Sequence, residues 1–445
     1  MQNTARVVVI GGGIVGCSTA YWLTRMGWRD IMVLDQGPLF HNWGSTSHAP
    51  GLMFQHNNSK TVCQLARWSV ELYKEVAPHD TTAFWQVGSL EIAHTRDRWN
   101  ELKRKLGNAL AWGLEAHLIG PAEIRNMIPI MRSDDLYGAF YVPSDCDVDA
   151  KVICAALAEI ARQNGASFLP HIPVTAIEVK NNRVRAVITP QGRIETETVV
   201  CAAGLWGPLI GRMAGVPIPL TPMQHLYART ESLPELAGET EELRHPIVRY
   251  QDCDLYFRQH KDAYGFGSYG HDPLPVDVGD LPHNDHPAIL PFTPQHFAAS
   301  LRDAGERFPC LRDAPITHQF NGLFSFTSDL NSILGESAEV RGFWAAEAVW
   351  ITHGGGTGRV MAEWITEGTS SIDLRELDIN RFHPHALGKS YIRERSNQQY
   401  IEVYDIIHPL AQPSKVRNLR VSPFYPRQQE RGAVFFESAG WERPH

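Results

Sequence analysis

The sequence has no cluster of basic residues and no long apolar run. Its 445 residues carry 41 Lys and Arg against 49 Asp and Glu, for a net charge of −8. This balance argues against a general binder of nucleic acid or of anionic membranes. The longest uncharged apolar stretch, 199–211, has 13 residues and contains a proline. A membrane-spanning helix needs about 20 residues, so none is predicted.

Cysteine is also sparse. The seven cysteines form no Cys-x-x-Cys pair and no even-numbered cluster, which argues against a disulfide framework or structural zinc and favours a reducing compartment. His383 and His385 have no third ligand nearby in the sequence and no HExxH motif occurs, so no metal site is predicted. Only a few residues precede the first apolar run, so we expect no targeting segment and a cytoplasmic location.

Hydrophobic residues are abundant, at 43% of the chain. This composition excludes disorder as the main state, and the length predicts two or three globular units with large cores. The chain opens with a predicted strand at 6–10, a glycine-rich turn, a helix that stops near Gly27 and a second strand at 31–34. The continuous β-branched run of the first strand is typical of a strand buried on both faces.

The turn after the first strand reads Gly11-x-Gly13-x-x-Gly16, and Asp35 ends the second strand. In a dinucleotide site the first glycine permits the tight turn, the second lets backbone approach a pyrophosphate, and the third brings helix against strand. The helix N-terminus meets the phosphates, and Asp35 can accept from a ribose. The pattern predicts a dinucleotide site without separating FAD from NAD. The alternative is a glycine-rich turn in an ordinary α/β unit.

The rest of the chain alternates between predicted helices and strands. Helices are predicted at 98–110, in a short segment that Pro121 begins, at 151–163 and at 358–365. Strands are predicted in a meander around Val174, Val184 and Ile194, in an aromatic and proline-rich β-rich unit at 216–325, and at 342–349. The last 70 residues or so have no clear period.

Several short stretches, unrelated by composition, resemble one family and occur in its order. They are LDQGP at 34–38, GSTSHAPGL at 44–52, VCAAGLWG at 200–207, NGLFSFT at 321–327, EAVWITH at 347–353 and NLRVSP at 418–423. On these residues the chain resembles, over essentially its whole length, the flavin-binding part of the dimethylglycine and sarcosine dehydrogenase/oxidase family of FAD-dependent oxidoreductases.

The resemblance implies an α/β fold: a discontinuous, doubly wound, Rossmann-like FAD-binding domain with an inserted β-rich substrate domain. The implied FAD-binding segments are 1–85, 141–215 and 326–370, the substrate segments are 86–140 and 216–325, and 371–445 is a C-terminal extension that begins a truncated folate-type region. In a eukaryote, the implied location is the mitochondrial matrix.

In this family a histidine at the position of His48 bonds covalently to the 8α carbon of FAD, and the resemblance implies the same anchor here. The bond needs a neutral imidazole nitrogen to attack an electrophilic form of the flavin ring. The alternative is an ordinary loop histidine among the 20 in the chain. The motifs and the resemblance together imply these cofactor-binding residues: Gly11, Gly13, Gly16, Asp35, Gln36, Ser45, Thr46, His48, Gly51, Leu52, Val174, Ala203, Gly204, Trp206, Trp350, Thr352, His353, Gly354 and Gly355.

The last five of these lie in a second glycine-rich segment, 350–358, between a predicted strand and a predicted helix. Glycines there would let backbone N–H groups approach a ligand, and the helix N-terminus would offer partial positive charge. In the family this segment faces the flavin ring, where such charge stabilises the anionic reduced form. The alternative is a second glycine-rich turn, with His353 as a packed loop residue.

Two further segments, PMQHLY at 222–227 and DLYFR at 254–258, resemble the substrate pocket of the family. They imply that His225 and Tyr256 lie beside the substrate amine, where hydride leaves an N-methyl carbon for flavin N5. This reaction needs the nitrogen lone pair, so the ammonium must first lose its proton. A His–Tyr pair suits this because histidine titrates near neutral pH and tyrosine can relay a proton. The alternative for both residues is ordinary packing in strands.

The resemblance thus implies oxidative N-demethylation of dimethylglycine or sarcosine on covalent FAD, giving the demethylated amine and formaldehyde. Oxygen or an electron-transfer flavoprotein would take the electrons, and folate would take part only if another chain supplies its site. Arg258 and Tyr269 are weaker candidates for the substrate carboxylate, since an exposed ion pair also suits Arg258. Asn331 and Ser332 stand where relatives usually have a Gly-x-Pro-like turn near the flavin ring. A different turn geometry there would affect which substrate is preferred. A broader amino-acid oxidase and a non-catalytic regulatory subunit stay open.

Overall fold

The computed structural model describes residues 3–41, 43–78 and 82–445. Within these ranges the chain forms a six-stranded sheet, a nine-stranded sheet and three small sheets of three strands. The predicted α/β class, a Rossmann-like sheet with a separate β-rich part, is confirmed. No helix in the described ranges is both long and apolar enough to cross a membrane, and all seven cysteines are free thiols.

The six-stranded sheet collects strands from distant parts of the chain. In spatial order they are Ile333–Glu336, Phe343–Glu347, Val199–Cys201, Val7–Ile10, Ile31–Leu34 and Ala166–Leu169. All neighbouring pairs are parallel except the first pair, which is antiparallel. The glycine-rich turn follows a central strand. It therefore lies at the carboxyl edge of the sheet, where open α/β folds form their ligand crevice.

Alternation along the strands gives this sheet two apolar faces. Val7 and Val9 face a layer of helices, whereas Val8 and Ile10 face a second apolar cluster. The first layer consists of helices Ile14–Arg25, Lys60–Val76, Ala150–Gln163 and Ile351–Glu367. The second layer consists of the predicted meander, Ala176–Val179, Val184–Thr189 and Gly192–Glu195, together with helix Gly207–Ala214.

The nine-stranded sheet joins the two segments that were predicted to form the substrate part. Its strands, in spatial order, are Ile289–Leu290, Ile316–Thr327, Leu220–Thr230, Ala263–Ser268, Leu255–His260, Ile247–Tyr250, Ser89–Ala93, Gly138–Val142 and His117–Ile119. Helices Arg96–Ala111, Pro121–Met127 and Pro294–Arg307 pack on it. Strands from 86–140 and 216–325 therefore share a single sheet and its apolar core.

The remaining elements are short. The small sheets contain Leu52–Met53, Cys146–Val148 and Phe84–Trp85, and, near the C-terminus, Arg420–Val421, Trp441–Pro444 and Phe435–Ser438. Short 3-10 helices span Ser45–Ser47, Gly204–Trp206, Pro234–Leu236, Gln251–Cys253, Val278–Asp280, Pro309–Leu311, Ile379–Arg381 and Pro384–Leu387. The C-terminal segment, whose sequence has no clear period, also forms helices Lys389–Ile401 and Tyr425–Glu430. The first of these packs against two strands of the nine-stranded sheet.

Candidate active site

A cavity at the carboxyl edge of the six-stranded sheet is also lined by the nine-stranded sheet. Most of the predicted site residues line it: Gly11, Gly13, Asp35, Gln36, Ser45, Thr46, His48, Gly51, Leu52, Val174, Ala203, Gly204, Trp206, His225, Tyr256, Tyr269, Trp350 and Thr352. In the described part of the chain, Gly16, Arg258, His353, Gly354 and Gly355 are outside this lining. The fold therefore brings the motifs of the two sheets to one place.

The glycine-rich turn has the geometry that its sequence predicts. Gly11 has φ +111°, and a Cβ on it would lie 2.8 Å from the carbonyl carbon of Ala202. Gly16 packs the helix against the turn, because a Cβ there would overlap the carbonyl oxygen of Gly11. Gly13 caps helix Ile14–Arg25 without a side-chain hydrogen bond. In the first turn, the Ile14 N–H donates to Thr46 Oγ1 at 3.3 Å. A helix N-terminus in the cavity lining fits a bound pyrophosphate.

Asp35 is held in place at the end of its strand. The Gly12 N–H donates to Asp35 Oδ2 at 2.7 Å, and the Gly37 N–H donates to Oδ1 at 2.8 Å. Each carboxylate oxygen retains capacity for a second donor. Asp35 lines the cavity, so it is positioned to accept from a ribose hydroxyl.

The second glycine-rich segment packs two helices together. Its glycines lie inside helix Ile351–Glu367, which begins earlier than the predicted start at 358. A Cβ on Gly354 would lie 2.8 Å from Tyr73 Oη, and one on Gly355 would lie 2.9 Å from Ser69 Cα. The glycines therefore permit close helix–helix approach. This packing gives Gly354 and Gly355 a structural reason to be glycine, and their contact with a cofactor stays a prediction.

Only the beginning of this helix reaches the cavity. Trp350, which caps the helix, and Thr352, in its first turn, belong to the lining. His353 is not part of this lining, and its cofactor contact stays a prediction. Burial lowers the pKa of His353 to about 4. The helix N-terminus still offers partial positive charge to the cavity.

His48 follows the short 3-10 helix Ser45–Ser47. Burial lowers its pKa to about 4, so the imidazole is neutral at physiological pH. Its Nδ1 is buried and has no hydrogen-bond partner among the described residues. The ring has room because its neighbour is a glycine: a Cβ on Gly322 would lie 2.6 Å from His48 Cδ2. A neutral imidazole with a free nitrogen meets the chemical requirement of a flavin anchor.

His225 and Tyr256 form a hydrogen-bonded pair. They lie on strands separated by Ala263–Ser268, and Tyr256 crosses that strand at Gly267, where a Cβ would lie 2.7 Å from Tyr256 Cε1. Tyr256 Oη lies 2.8 Å from His225 Nε2. Burial, with His271 and His48 nearby, holds the pKa of His225 well below its usual range. The expectation that this histidine titrates near neutral pH is therefore corrected.

The tyrosine is also held neutral. Burial, together with neighbouring tyrosines, raises the pKa of Tyr256 well above its usual range. His225 and Tyr256 thus face the cavity as uncharged groups, and burial disfavours the charged form of each.

Arg258 is committed to another ion pair. Its guanidinium lies 2.9 Å from Asp147 Oδ1 and 3.5 Å from Glu242 Oε1, and it is buried. It lies outside the lining of this cavity, which corrects its assignment as a candidate for the substrate carboxylate. The alternative of an exposed ion pair is also wrong, since only 9% of the side chain is exposed.

Besides Lys151, the described part of the cavity lining contains one further Lys or Arg side chain, that of Arg249, which was not predicted as a site residue. Its guanidinium lies 3.8 Å above the Phe54 ring and 3.4 Å from Glu91 Oε1. Glu91 is already paired with Lys105 at 2.6 Å, so part of the Arg249 charge is left for another anion. A basic residue inside a short apolar strand was the available signal.

Glu347 was likewise not predicted as a site residue. It ends the strand Phe343–Glu347, and its Oε1 accepts from the Ala203 N–H at 2.7 Å. Its Oε2 is buried without a partner in the described ranges. Burial raises its pKa to about 8. A carboxyl group in a fully buried strand could have pointed to it.

The comparisons with known proteins identify the family. The profile described as FAD dependent oxidoreductase matches residues 6–364, and that of the FAD dependent oxidoreductase central domain matches 367–422. The chain belongs to the FAD-dependent oxidoreductases. Three features of this oxidoreductase fit the FAD of its family. They are the dinucleotide cradle, by which we mean the turn Gly11–Gly16 with the helix N-terminus that follows it, the carboxylate of Asp35, and the unpartnered Nδ1 of His48.

Three relatives illustrate the range of the family. Human mitochondrial sarcosine dehydrogenase is 35% identical over 459 residues, covering 100% of this chain and 49% of its own length. Dimethylglycine dehydrogenase of Rattus norvegicus is 30% identical, covering 100% and 52%. The pyruvate dehydrogenase phosphatase regulatory subunit of Mus musculus is 31% identical, covering 99% and 50%. The chain thus spans about half the length of these relatives, and the resemblance drawn from its motifs is confirmed.

A solved structure supports the fold. L-proline dehydrogenase from P. horikoshii superposes with a TM-score of 0.76 at 24% identity, covering 86% of this chain and 98% of that chain. At this identity the match establishes the fold of the oxidoreductase and not its substrate. The discontinuous FAD-binding fold with its β-rich part is thereby confirmed.

Proposed function

We propose that this oxidoreductase demethylates an N-methylated glycine, dimethylglycine or sarcosine, by FAD-dependent oxidation. The observation that carries the proposal is the neutral His225–Tyr256 pair, which shares one cavity with the cationic Arg249 and the dinucleotide cradle. Such a substrate has an amine that must lose a proton and a carboxylate that needs a cation. The product iminium would hydrolyse to the demethylated amine and formaldehyde.

FAD, when bound, supplies the hydride acceptor. The residues that would hold it are Gly11 and Gly13 at the pyrophosphate, Asp35 at the ribose, and the helix start at Trp350 near the ring. His48 would bond to it covalently, since a neutral, unpartnered nitrogen suits that reaction.

The proton of the substrate ammonium would leave through Tyr256 and His225. Tyr256 Oη accepts the proton as its own proton moves to His225 Nε2, 2.8 Å away. Proton transfer by a positioned group contributes typically about 10²–10⁴-fold in rate.

Arg249 would hold the substrate carboxylate. Its guanidinium is planar and suits bidentate binding, and Glu91 balances only part of the nearby charge because it also pairs with Lys105. A hydrogen bond to a charged group contributes about 1.5–3 kcal/mol. Tyr269, whose ring centre lies 4.4 Å from that of His225, adds a wall of the same pocket.

The function is tested by mixing the yellow protein anaerobically with dimethylglycine, sarcosine, betaine or a simple D-amino acid and following the bleaching of the flavin. Dimethylglycine and sarcosine should bleach it. Betaine, with the same carboxylate but no nitrogen lone pair, should not. Bleaching only by a D-amino acid would refute the proposal and favour a broader amino-acid oxidase of the same fold.

The covalent anchor is tested separately by acid precipitation. The wild-type pellet should stay yellow, and His48→Asn should release the colour to the supernatant, because the amide cannot form the bond. Release of all colour from the wild type would rule out attachment through His48 while leaving the oxidation proposal intact.

The regulatory-subunit relative supplies a second candidate, a non-catalytic flavoprotein-like subunit. Failure of every amine to bleach the protein would favour it. For the catalytic protein, the proposed electron acceptor is oxygen or an electron-transfer flavoprotein, folate would come only with another chain, and the proposed location is the cytoplasm or the mitochondrial matrix.

A further inference from the structure

A chain of hydrogen bonds continues from His225 away from the cavity. Beyond the contact with Tyr256, His225 Nδ1 lies 3.2 Å from Tyr400 Oη. Tyr400 Oη lies 2.7 Å from His271 Nε2, and His271 Nδ1 lies 2.7 Å from the carbonyl oxygen of Asp272. Each ring nitrogen and each hydroxyl in this chain has a partner.

The carbonyl at the far end sets the direction of every bond. A carbonyl oxygen can only accept, so His271 carries its proton on Nδ1, and its Nε2 accepts from the Tyr400 hydroxyl. Tyr400 Oη then accepts from His225 Nδ1–H, which leaves His225 Nε2 to accept from Tyr256. All donors therefore point from the cavity towards His271.

Burial makes the inner positions poor places to leave a proton. Tyr400 is fully buried, and burial, with Tyr269 and Asp254 nearby, raises its pKa well above the usual range. For His225, burial is reinforced by His271 and His48, so the cation is disfavoured there. Because the cationic form of His225 is disfavoured, a proton accepted at Nε2 is released from Nδ1 to the next group.

His271 is the member of the chain nearest to solvent. It is partly exposed and is followed by the exposed Asp272. Its pKa is lowered mainly by burial and also by His296, while the contacts with Asp272 raise it. A proton that reaches this ring can be released to water.

We propose that Tyr400 and His271 form the exit relay for the proton that the substrate ammonium loses. The proposal rests on the proposed function. In the concerted step, the N–H bond of the ammonium breaks and Tyr256 takes that proton. Tyr256 passes its own proton to His225 Nε2, Nδ1–H passes to Tyr400, and the Tyr400 proton passes to His271 Nε2. The substrate becomes a neutral amine and His271 an imidazolium, so charge is conserved.

The relay assigns a role to the C-terminal segment. Tyr400 lies in helix Lys389–Ile401, inside the 367–422 match to the central-domain profile. The helix packs on the strands Leu220–Thr230 and Ile316–Thr327, which places the Tyr400 hydroxyl against His225. Tyr400 and His271 act through His225 and do not touch the substrate.

The test is the pH dependence of flavin reduction by dimethylglycine or sarcosine in the anaerobic holoenzyme, for wild type and Tyr400→Phe. Without the hydroxyl the proton cannot leave His225. The reduction rate at pH 7 should then fall by about 10²-fold, the lower end of the range for proton transfer. It should approach the wild-type rate at alkaline pH, where the amine is already neutral. The flavin spectrum should be unchanged.

Tyr264→Phe is the matched control. Tyr264 is as buried as Tyr400, and its hydroxyl lies 2.9 Å from His245 Nδ1, a similar bond outside the cavity lining in the described ranges. This variant should keep the wild-type pH profile. In His271→Ala, added imidazole should restore the rate in a concentration-dependent way, because the site is open to solvent, whereas Tyr400→Phe should not respond.

The outcomes separate the two proposals. If wild type is reduced and Tyr400→Phe has the same pH profile, or if Tyr264→Phe shifts it equally, the relay is refuted and the demethylation stands. If no N-methylated glycine reduces the wild type, both proposals fall.

Discussion

Replacing Gly356 by Ala should destabilise the oxidoreductase, although alanine is the better helix former. Gly356 lies within helix Ile351–Glu367, against helix Lys60–Val76. A Cβ there would overlap the carbonyl oxygen of Leu65 and lie 2.6 Å from Leu65 Cα. These are backbone atoms, so no rotamer change can relieve the contact.

The magnitude follows from two opposed effects. Exchanging glycine for alanine in a helix gains about 1 kcal/mol. The new methyl must push the two helices about 0.5–1 Å apart, and such a gap forfeits roughly a quarter to a half of each contact across it. Overpacking typically costs about 1–3 kcal/mol, and we take about 2–3 kcal/mol here because the contacted atoms are backbone and cannot move aside. We expect a net loss of about 1–2 kcal/mol.

The assay is thermal unfolding beside a matched variant. Gly107 lies in helix Arg96–Ala111, and a Cβ on it would meet nothing within 4 Å in the described part of the chain. Gly107→Ala should therefore stabilise by about 0.5–1 kcal/mol. For domains of 150–250 residues, 1 kcal/mol corresponds to about 2–4 °C in Tm. The two Tm shifts should have opposite signs.

Two results would refute the reasoning. If Gly356→Ala raises Tm as Gly107→Ala does, the helices are not in the contact described. If it leaves unfolding of the flavin-free protein unchanged and only weakens FAD binding, the glycines serve the cofactor, as their sequence first suggests.

Two further predictions concern charge in the cavity. For Glu347, the folded pKa of about 8 lies above the ordinary carboxyl value, so the unfolded state loses its proton first and wild-type stability falls as pH rises between about 4.5 and 8. Glu347→Gln should remove this part of the pH dependence, and denaturation at pH 5 and pH 8 would measure it; an unchanged slope would contradict the buried neutral acid. Arg249→Met should raise the KM for dimethylglycine by about 10- to 150-fold, from the loss of about 1.5–3 kcal/mol. Oxidation of a tertiary amine without a carboxylate should be spared, and an equal loss for both amines would contradict the carboxylate role.

The parts of the site that could be predicted from the sequence are those whose function is local. The turn at Gly11 and Gly16 is specified by the adjacent strand and helix, and Asp35 ends the neighbouring strand. For Gly354 and Gly355, the physical reason for glycine lies on another helix, at Tyr73 and Ser69. Spacing alone cannot distinguish a turn that meets a ligand from a helix face that meets another helix.

Arg249 and Tyr400 were missed for a different reason. Arg249 reaches the cavity through the pairing of the strand Ile247–Tyr250 in the nine-stranded sheet, and that pairing is set by contacts distant in sequence. Tyr400 belongs to a helix whose charged and polar sequence has little apolar periodicity. Its position depends on the strands beneath it, so periodicity could not have found it.

Glycines inside strands are the signal that would have found more of the site. A strand interior disfavours glycine unless something large must approach the backbone there. Gly322 leaves room for the His48 ring and Gly267 for Tyr256, each ring arriving from another segment. Both rings belong to candidate functional residues. A glycine in the interior of either strand therefore marks a place where a candidate site residue crosses the strand. In the nine-stranded sheet, the glycines that leave space for these rings therefore contribute to the shape of the candidate site together with the side chains that line it.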